Sequence, residues 1–299
     1  MKRLSIYTFI ATAIATTLLF VSCGSTTGKK EAAASKAQFI VSIAPLRPLV
    51  SEIVGDDFDI SILVPAGASP ESFEPTPRQF KAVNEAEAIF AVGLIDFERN
   101  LLSKIEHQEK IINLSHGIEL IAGSCSHHHH CEDSHQPHHH SHGIDPHIWV
   151  SPVALKTMAQ NAYNAIAAAY PDSVKYKANY ERLASRLNAL DSSVRAICAD
   201  ARTHRFIINH PALTYLARDY DLEQISIEHE GKEPSAKRLT NLIDNARNEN
   251  TRRVFYQSTY PRSTVEVIAE DIGAEPVEIN PLREDIFVNI PEITHLITE

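Results

Sequence analysis

Phe39-Ile40-Val41-Ser42-Ile43, followed by an amphipathic stretch over residues 46–54 and a second β-rich run over 58–64, is the part of the chain that decides its fold. Short apolar runs rich in β-branched residues suit strands buried on both faces, and an amphipathic segment between two of them gives the βαβ order. The rhythm continues with a helix near 77–87, a strand at 88–92, a helix near 97–107 and a strand at 110–114. It predicts a mainly parallel sheet covered by helices on both faces.

Further along, residues 152–169 predict a helix, and beyond the stop at Pro171 a second helix runs over about 173–201. In the second helix Leu183, Leu187, Leu190, Val194 and Ile197 recur three or four apart, so one stripe faces a core. A second α/β block follows: strand 205–209, helix 211–220, strand 223–227, helix 235–248 with Ser235 as its N-cap, strand 253–256, helix 262–272 and strand 275–279. The expected architecture is α/β with two lobes, each a mainly parallel sheet flanked by helices and each with its own core. The first lobe spans 38–172, one long rigid helix links them over 173–203, and the second lobe spans 204–299. The cleft between the lobes is where such sheets place ligands.

Lys2 and Arg3 precede a nearly uncharged run over 4–21, the layout of a secretory signal peptide occupying 1–22. Phe20-Val21-Ser22-Cys23-Gly24 reads as a bacterial lipobox in which Cys23 becomes the acylated first residue; ordinary cleavage near Ser22 is the alternative. Residues 23–37 then form a flexible tether for an extracytoplasmic, membrane-anchored protein, periplasmic or on the cell surface. Nothing after Cys23 approaches the roughly 20 apolar residues of a membrane span. The formal charge of -10 disfavours nucleic acid and suits cations. Cys23, Cys125, Cys131 and Cys198 are too few and too irregular for a disulfide framework, though Cys125 and Cys131 suit either a small closed loop or a metal.

Residues 126–143 break the α/β rhythm. His127, His128, His129, His130, His135, His138, His139, His140 and His142 fall there among Ser, Pro and acids, a composition that forms no core and suits loose collection of metal ions. Chemistry-bearing residues also follow the expected strands. Glu71 and Glu74 lie in the turn-rich loop after Val64, Asp145 and His147 in a Pro-punctuated loop, and His210 just after strand 205–209. His147 and His210 flank the long helix, so a metal between them would clamp the lobes, and imidazole nitrogen suits zinc. His204 and His229 are expected to be exposed, Glu230 to orient a ligand histidine, and Trp149 to pack beside the site.

Ser42-Ile43-Ala44-Pro45-Leu46, the Pro-rich loop over 65–77, Asp145-Pro146-His147-Ile148-Trp149, His210-Pro211-Ala212 and Gly231-Lys232-Glu233-Pro234-Ser235 together resemble the metal-binding lipoproteins of bacterial zinc and manganese ABC importers, the cluster A-I or zinc-uptake solute-binding proteins. The resemblance runs from Gln38 onward. It implies a monomer that hands metal to permease subunits in the membrane, and a histidine-rich loop like that of the zinc-transporting members. It also implies His147 and His210 as ligands, with Glu71 standing where the family has a third histidine and Asn280 where it often has aspartate. Zinc is the expected metal. The oxygen-richer shell keeps manganese or iron as the alternative. A zinc hydrolase and a metal-dependent adhesin remain rival readings; the hydrolase lacks a His-Glu-x-x-His helix, a Gly-x-Ser-x-Gly elbow and a phosphate-cradling loop.

Overall fold

Apolar strands lie at the centre of both halves of the molecule. The computed structural model describes residues 37–122, 143–228, 234–249 and 251–299. The expected signal peptide, Cys23, most of the tether, Cys125, Cys131, the histidine-rich loop to residue 142, His229 and Glu230 lie outside the described residues.

The first sheet consists of β1 (Gln38–Val41), β2 (Asp59–Ile62), β3 (Ala88–Ala91) and β4 (Ile111–Asn113). Its order is β2-β1-β3-β4, parallel throughout. Helices α1 (Arg47–Val54), α2 (Pro77–Glu85) and α3 (Asp96–Leu102) connect these strands. Two longer helices follow, α4 (Pro152–Ala169) and α5 (Val174–Ala199). The second sheet repeats the same plan, with β5 (Arg205–Ile208), β6 (Glu223–Ser226), β7 (Arg253–Gln257) and β8 (Glu275–Ile279) in the order β6-β5-β7-β8, again parallel. Its helices are α6 (Thr214–Asp219), α7 (Ala236–Asn248), α8 (Ser263–Ile272) and α9 (Ile286–Thr298).

In each sheet the chain reverses direction across the strand order, between β1 and β3 and between β5 and β7. Those switch points, at the carboxyl ends of the strands, leave a crevice that connecting helices do not cover.

Helix α5 contacts α1 and α4 on one side and α9 on the other, so it serves as a spine common to both lobes. Tyr176, Leu183, Leu187, Leu190 and Val194 are buried along it. Ile197 is only half-buried, and Cys198 takes the last core position instead. The expectation of separate cores is corrected here: one hydrophobic cluster includes Phe39 and Ile89 of the first sheet and Phe206, Phe255 and Ile279 of the second. Only the outer side of the second sheet has a small core of its own, around Ile207, Leu242, Val254 and Ile268. The cause is α9, for which no element is read from the sequence. Ile286, Ile290, Ile293 and Ile297, spaced four, three and four apart, form its buried stripe, while Pro291 in its interior obscures the helical pattern.

The remaining differences are at element ends. Helix α6 begins three residues later than expected, and α3 stops at Leu102. Ser235 caps α7 as expected, its hydroxyl accepting from Arg238 N–H. Among the described residues no helix is long and apolar enough to cross a membrane.

Candidate metal centre

The crevice at the two switch points holds Glu71, His147 and His210, each offering a ligand atom within 4.8 Å of the others. Glu71 comes from the loop between β2 and α2. That loop is anchored at its far end by the capping box of Thr76 and Gln79 on α2, and by an edge-to-face contact between Phe73 and Phe97. Glu74 of the same loop is exposed to solvent. His147 opens the turn leading to α4, and His210 lies two residues past the end of β5. Glu71 Oε1 is 2.6 Å from His210 Nε2 and 3.7 Å from His147 Nε2.

Both imidazoles are aimed by carboxylates. His147 donates from Nδ1 to Asp145 Oδ1 at 2.9 Å, and the same oxygen accepts its backbone N–H. His210 donates from Nδ1 to Glu228 Oε2 at 2.9 Å, while Glu228 Oε1 accepts from Asn209 Nδ2. A proton fixed on Nδ1 leaves the Nε2 lone pair facing the crevice, the arrangement by which proteins orient metal-binding histidines. Asp145 is itself held through its carbonyl by the Tyr215 hydroxyl. Glu228 is the carboxylate found beside His210, while Glu230, expected to orient a ligand histidine, lies outside the described residues.

Electrostatics follow from this packing. Burial raises the carboxyl pKa of Glu71, but the hydrogen bond and charge of His210, then the charge of His147, outweigh it and hold Glu71 below its ordinary value. Asp145 is lowered in the same way, the charge of His147 overcoming burial. His210 shows the opposite sign. Burial disfavours its charged form, yet the hydrogen bonds to Glu228 and Glu71 and their charges push it up to about 9. Three carboxylates around two imidazoles leave excess negative charge when the rings are neutral, a field that favours a divalent cation.

Buried polar atoms at the crevice also fit a metal. Gln257 Oε1 has no hydrogen-bond partner, and the buried His210 Nε2 faces Glu71 Oε1 at 2.6 Å, a contact that an ion between the two atoms would replace. The crevice volume of about 30 Å³ accommodates an ion and a water and is far below the roughly 300–1,000 Å³ of sites for organic ligands.

Asn280 lines the crevice, with its Oδ1 accepting from Leu282 N–H at 2.9 Å. Trp149 packs against the His147 ring at 5.1 Å, and its indole donates to Pro281 O of the second lobe. His204 is exposed at the opposite end of β5 from His210.

Besides Glu228, two residues are absent from the reading of the sequence. Tyr260, after β7, stacks on His210 with ring centres 5.7 Å apart and donates to Glu71 Oε2 at 3.3 Å. Glu98, almost fully buried, accepts the backbone N–H groups of Val92, Gly93 and Ile95 and so shapes the turn that brings Ile95 to the crevice. Gly93 in that turn has φ +83°, and a Cβ there would lie 2.3 Å from the Asn113 side chain. The one available signal for Glu98 was an acid at the third position of a helix, where it commonly satisfies free backbone donors.

Two matching parallel-sheet lobes on a common helical spine, with oriented imidazoles meeting a carboxylate between them, define a two-lobed α/β protein with a candidate metal centre in its cleft. The chain belongs to the family described as zinc-uptake complex component A, periplasmic (ZnuA), whose model matches residues 40–287. It is similar to the zinc-binding protein AdcA of Streptococcus pyogenes serotype M3, at 29% identity over 281 residues covering 89% of this chain and 54% of the relative. It is also similar to the high-affinity zinc uptake system protein ZnuA of Bacillus subtilis, at 30% identity over 280 residues covering 89% of this chain and 85% of the relative. The chain thus spans about half the length of the streptococcal relatives it matches. A zinc-bound crystal structure of a ZnuA deletion mutant aligns with a TM-score of 0.78 and 33% identity, covering 88% of this chain and 97% of that one.

Proposed function

We propose that this chain is the extracytoplasmic metal-capturing component of a zinc importer, binding one Zn²⁺ between His147 Nε2, His210 Nε2 and Glu71 Oε1 and passing it to a membrane permease. The observation that carries this reading is the convergence of those three donors within 4.8 Å, with each imidazole backed by its own carboxylate. Bonds of about 2.0–2.1 Å in a tetrahedron put ligand atoms roughly 3.3 Å apart, so small adjustments suffice. Water or Asn280 completes the four-coordinate shell. Metal transport needs capture without turnover, and among the described residues Asp145 and Glu228 are engaged by the two imidazoles.

Cys23 anchors the chain to a membrane in this reading, and residues 126–142 act as a loose collector that raises the metal concentration near the cleft. Because the lobes share a core, release proceeds through displacement of the loop carrying Glu71 rather than a wide swing of the lobes. Manganese is the second reading, supported by a carboxylate where a third imidazole would suit zinc better.

Metal analysis of protein purified without added metal, combined with competition titrations of Glu71→Ala, His147→Ala and His210→Ala, tests the proposal. Loss of either histidine abolishes tight binding, and loss of Glu71 weakens it less. Tight one-site binding that survives both histidine substitutions would overturn the assignment.

A further inference from the structure

Glu71 divides its two oxygens between different neighbours. Oε1 faces the Nε2 atoms of both histidines, whereas Oε2 receives the Tyr260 hydroxyl at 3.3 Å. Tyr260 is well placed to keep that bond. Its backbone N–H closes a turn on Gln257 O at 2.9 Å at the end of β7, Pro261 follows it, and its ring lies nearly parallel to His210, at 19°. The phenol therefore contacts the ligand set twice, through its face on one imidazole and through its hydroxyl on the carboxylate.

A carboxylate bound to a metal through one oxygen fills one coordination position, and through two oxygens it fills two. Zinc is satisfied by four ligands in a tetrahedron, whereas manganese takes octahedral, oxygen-rich shells. The hydroxyl on Oε2 engages the oxygen that a bidentate Glu71 would need. Nothing else among the hydrogen bonds of the described side chains occupies that oxygen.

Building on the proposed metal-capturing role, we infer that Tyr260 is a specificity-determining positioning residue: by holding Glu71 Oε2 it keeps Glu71 monodentate and biases the centre toward zinc over manganese. Tyr260 does not ligate the metal. It acts through Glu71, and the consequence is a selectivity ratio rather than affinity alone.

Tyr260→Phe removes the hydroxyl and keeps the ring stacked on His210, so it isolates the hydrogen bond. The ratio of zinc to manganese affinity, from competition titrations with each metal, is expected to fall by about tenfold or more, the size of one lost hydrogen bond to a charged group. X-ray absorption of the zinc-loaded variant is expected to show one more oxygen neighbour than the parent protein. Tyr260→Ala, which also removes the ring, should reproduce the ratio change of Tyr260→Phe; a ratio altered only in the alanine variant would assign Tyr260 to packing and overturn the inference. An unchanged ratio and an unchanged zinc shell in Tyr260→Phe would overturn it as well. If the parent protein itself holds no metal through Glu71, His147 and His210, the failure lies in the proposed function, and the two failures are told apart by the parent titration.

Discussion

Glu71 and His210 meet across the cleft with Oε1 2.6 Å from Nε2, so a loop of the first lobe and a strand end of the second already touch at the point where a metal would sit. The contact joins an acid held below its ordinary pKa to an imidazole raised above it. In the proposed centre a proton between the lobes would compete with an incoming cation.

That competition gives a pH dependence. With its pKa raised to about 9, His210 carries a proton at pH 7 in the metal-free protein, and coordination requires the neutral ring. Metal affinity should therefore rise as pH increases from about 6.5 to 9, with close to one proton released from His210 per metal bound at pH 7. Stability of the metal-free protein should run the other way. A folded pKa above the unfolded value near 6.5 gives a contribution fully present below 6.5 and lost as pH rises through 9. Calorimetry in buffers of different ionisation enthalpy counts the protons, and a count of zero at pH 7 would contradict a protonated His210.

The carboxylates behind the imidazoles should matter without touching the ion. Asp145→Ala and Glu228→Ala are each expected to weaken metal binding by about 10–100-fold, the usual cost of removing such an orienting partner. Trp149, the chain's single tryptophan, lies 5.1 Å from the His147 ring, and its fluorescence can report each titration. Affinity unchanged in both variants would mean that the rings hold their orientation by packing alone.

A shared core predicts cooperative unfolding. Leu187, fully buried in α5, contributes to the cluster that joins both sheets, so Leu187→Ala should cost about 2–5 kcal/mol and leave a single transition. Urea titration followed by far-ultraviolet circular dichroism and by Trp149 fluorescence checks this; two separated transitions would show that the lobes unfold independently.

Deleting residues 126–142 should lower the number of zinc ions bound per chain while one tight equivalent remains. Equilibrium dialysis followed by metal analysis measures both quantities. Disappearance of the tight equivalent along with the loop would place the main site outside the cleft.

Much of the fold was legible because strand and helix patterns are local. The apolar runs at β1, β3, β5 and β7, and the stripe from Leu183 to Val194, announce their elements through neighbours three or four residues apart at most. His147 and His210 were legible from their motifs and their position after predicted elements. Glu228 was not. It stands beside His210 because β5 and β6 pair with Ile208 opposite Ser226, and the same register carried two residues further sets Glu228 next to the imidazole. Tyr260 enters the site for a similar reason, since β7 adjoins β5 in the sheet.

By itself the amino-acid order announces the α/β alternation, the long helices and the positions of His147 and His210 after their elements, since each depends on periodicity or on a short motif. Strand register, the merging of two cores through α9 and α5, and the pairing of each imidazole with its carboxylate were decided only by tertiary packing. These are contacts between residues far apart in the chain, and no local pattern specifies which distant partner completes a buried polar or apolar surface.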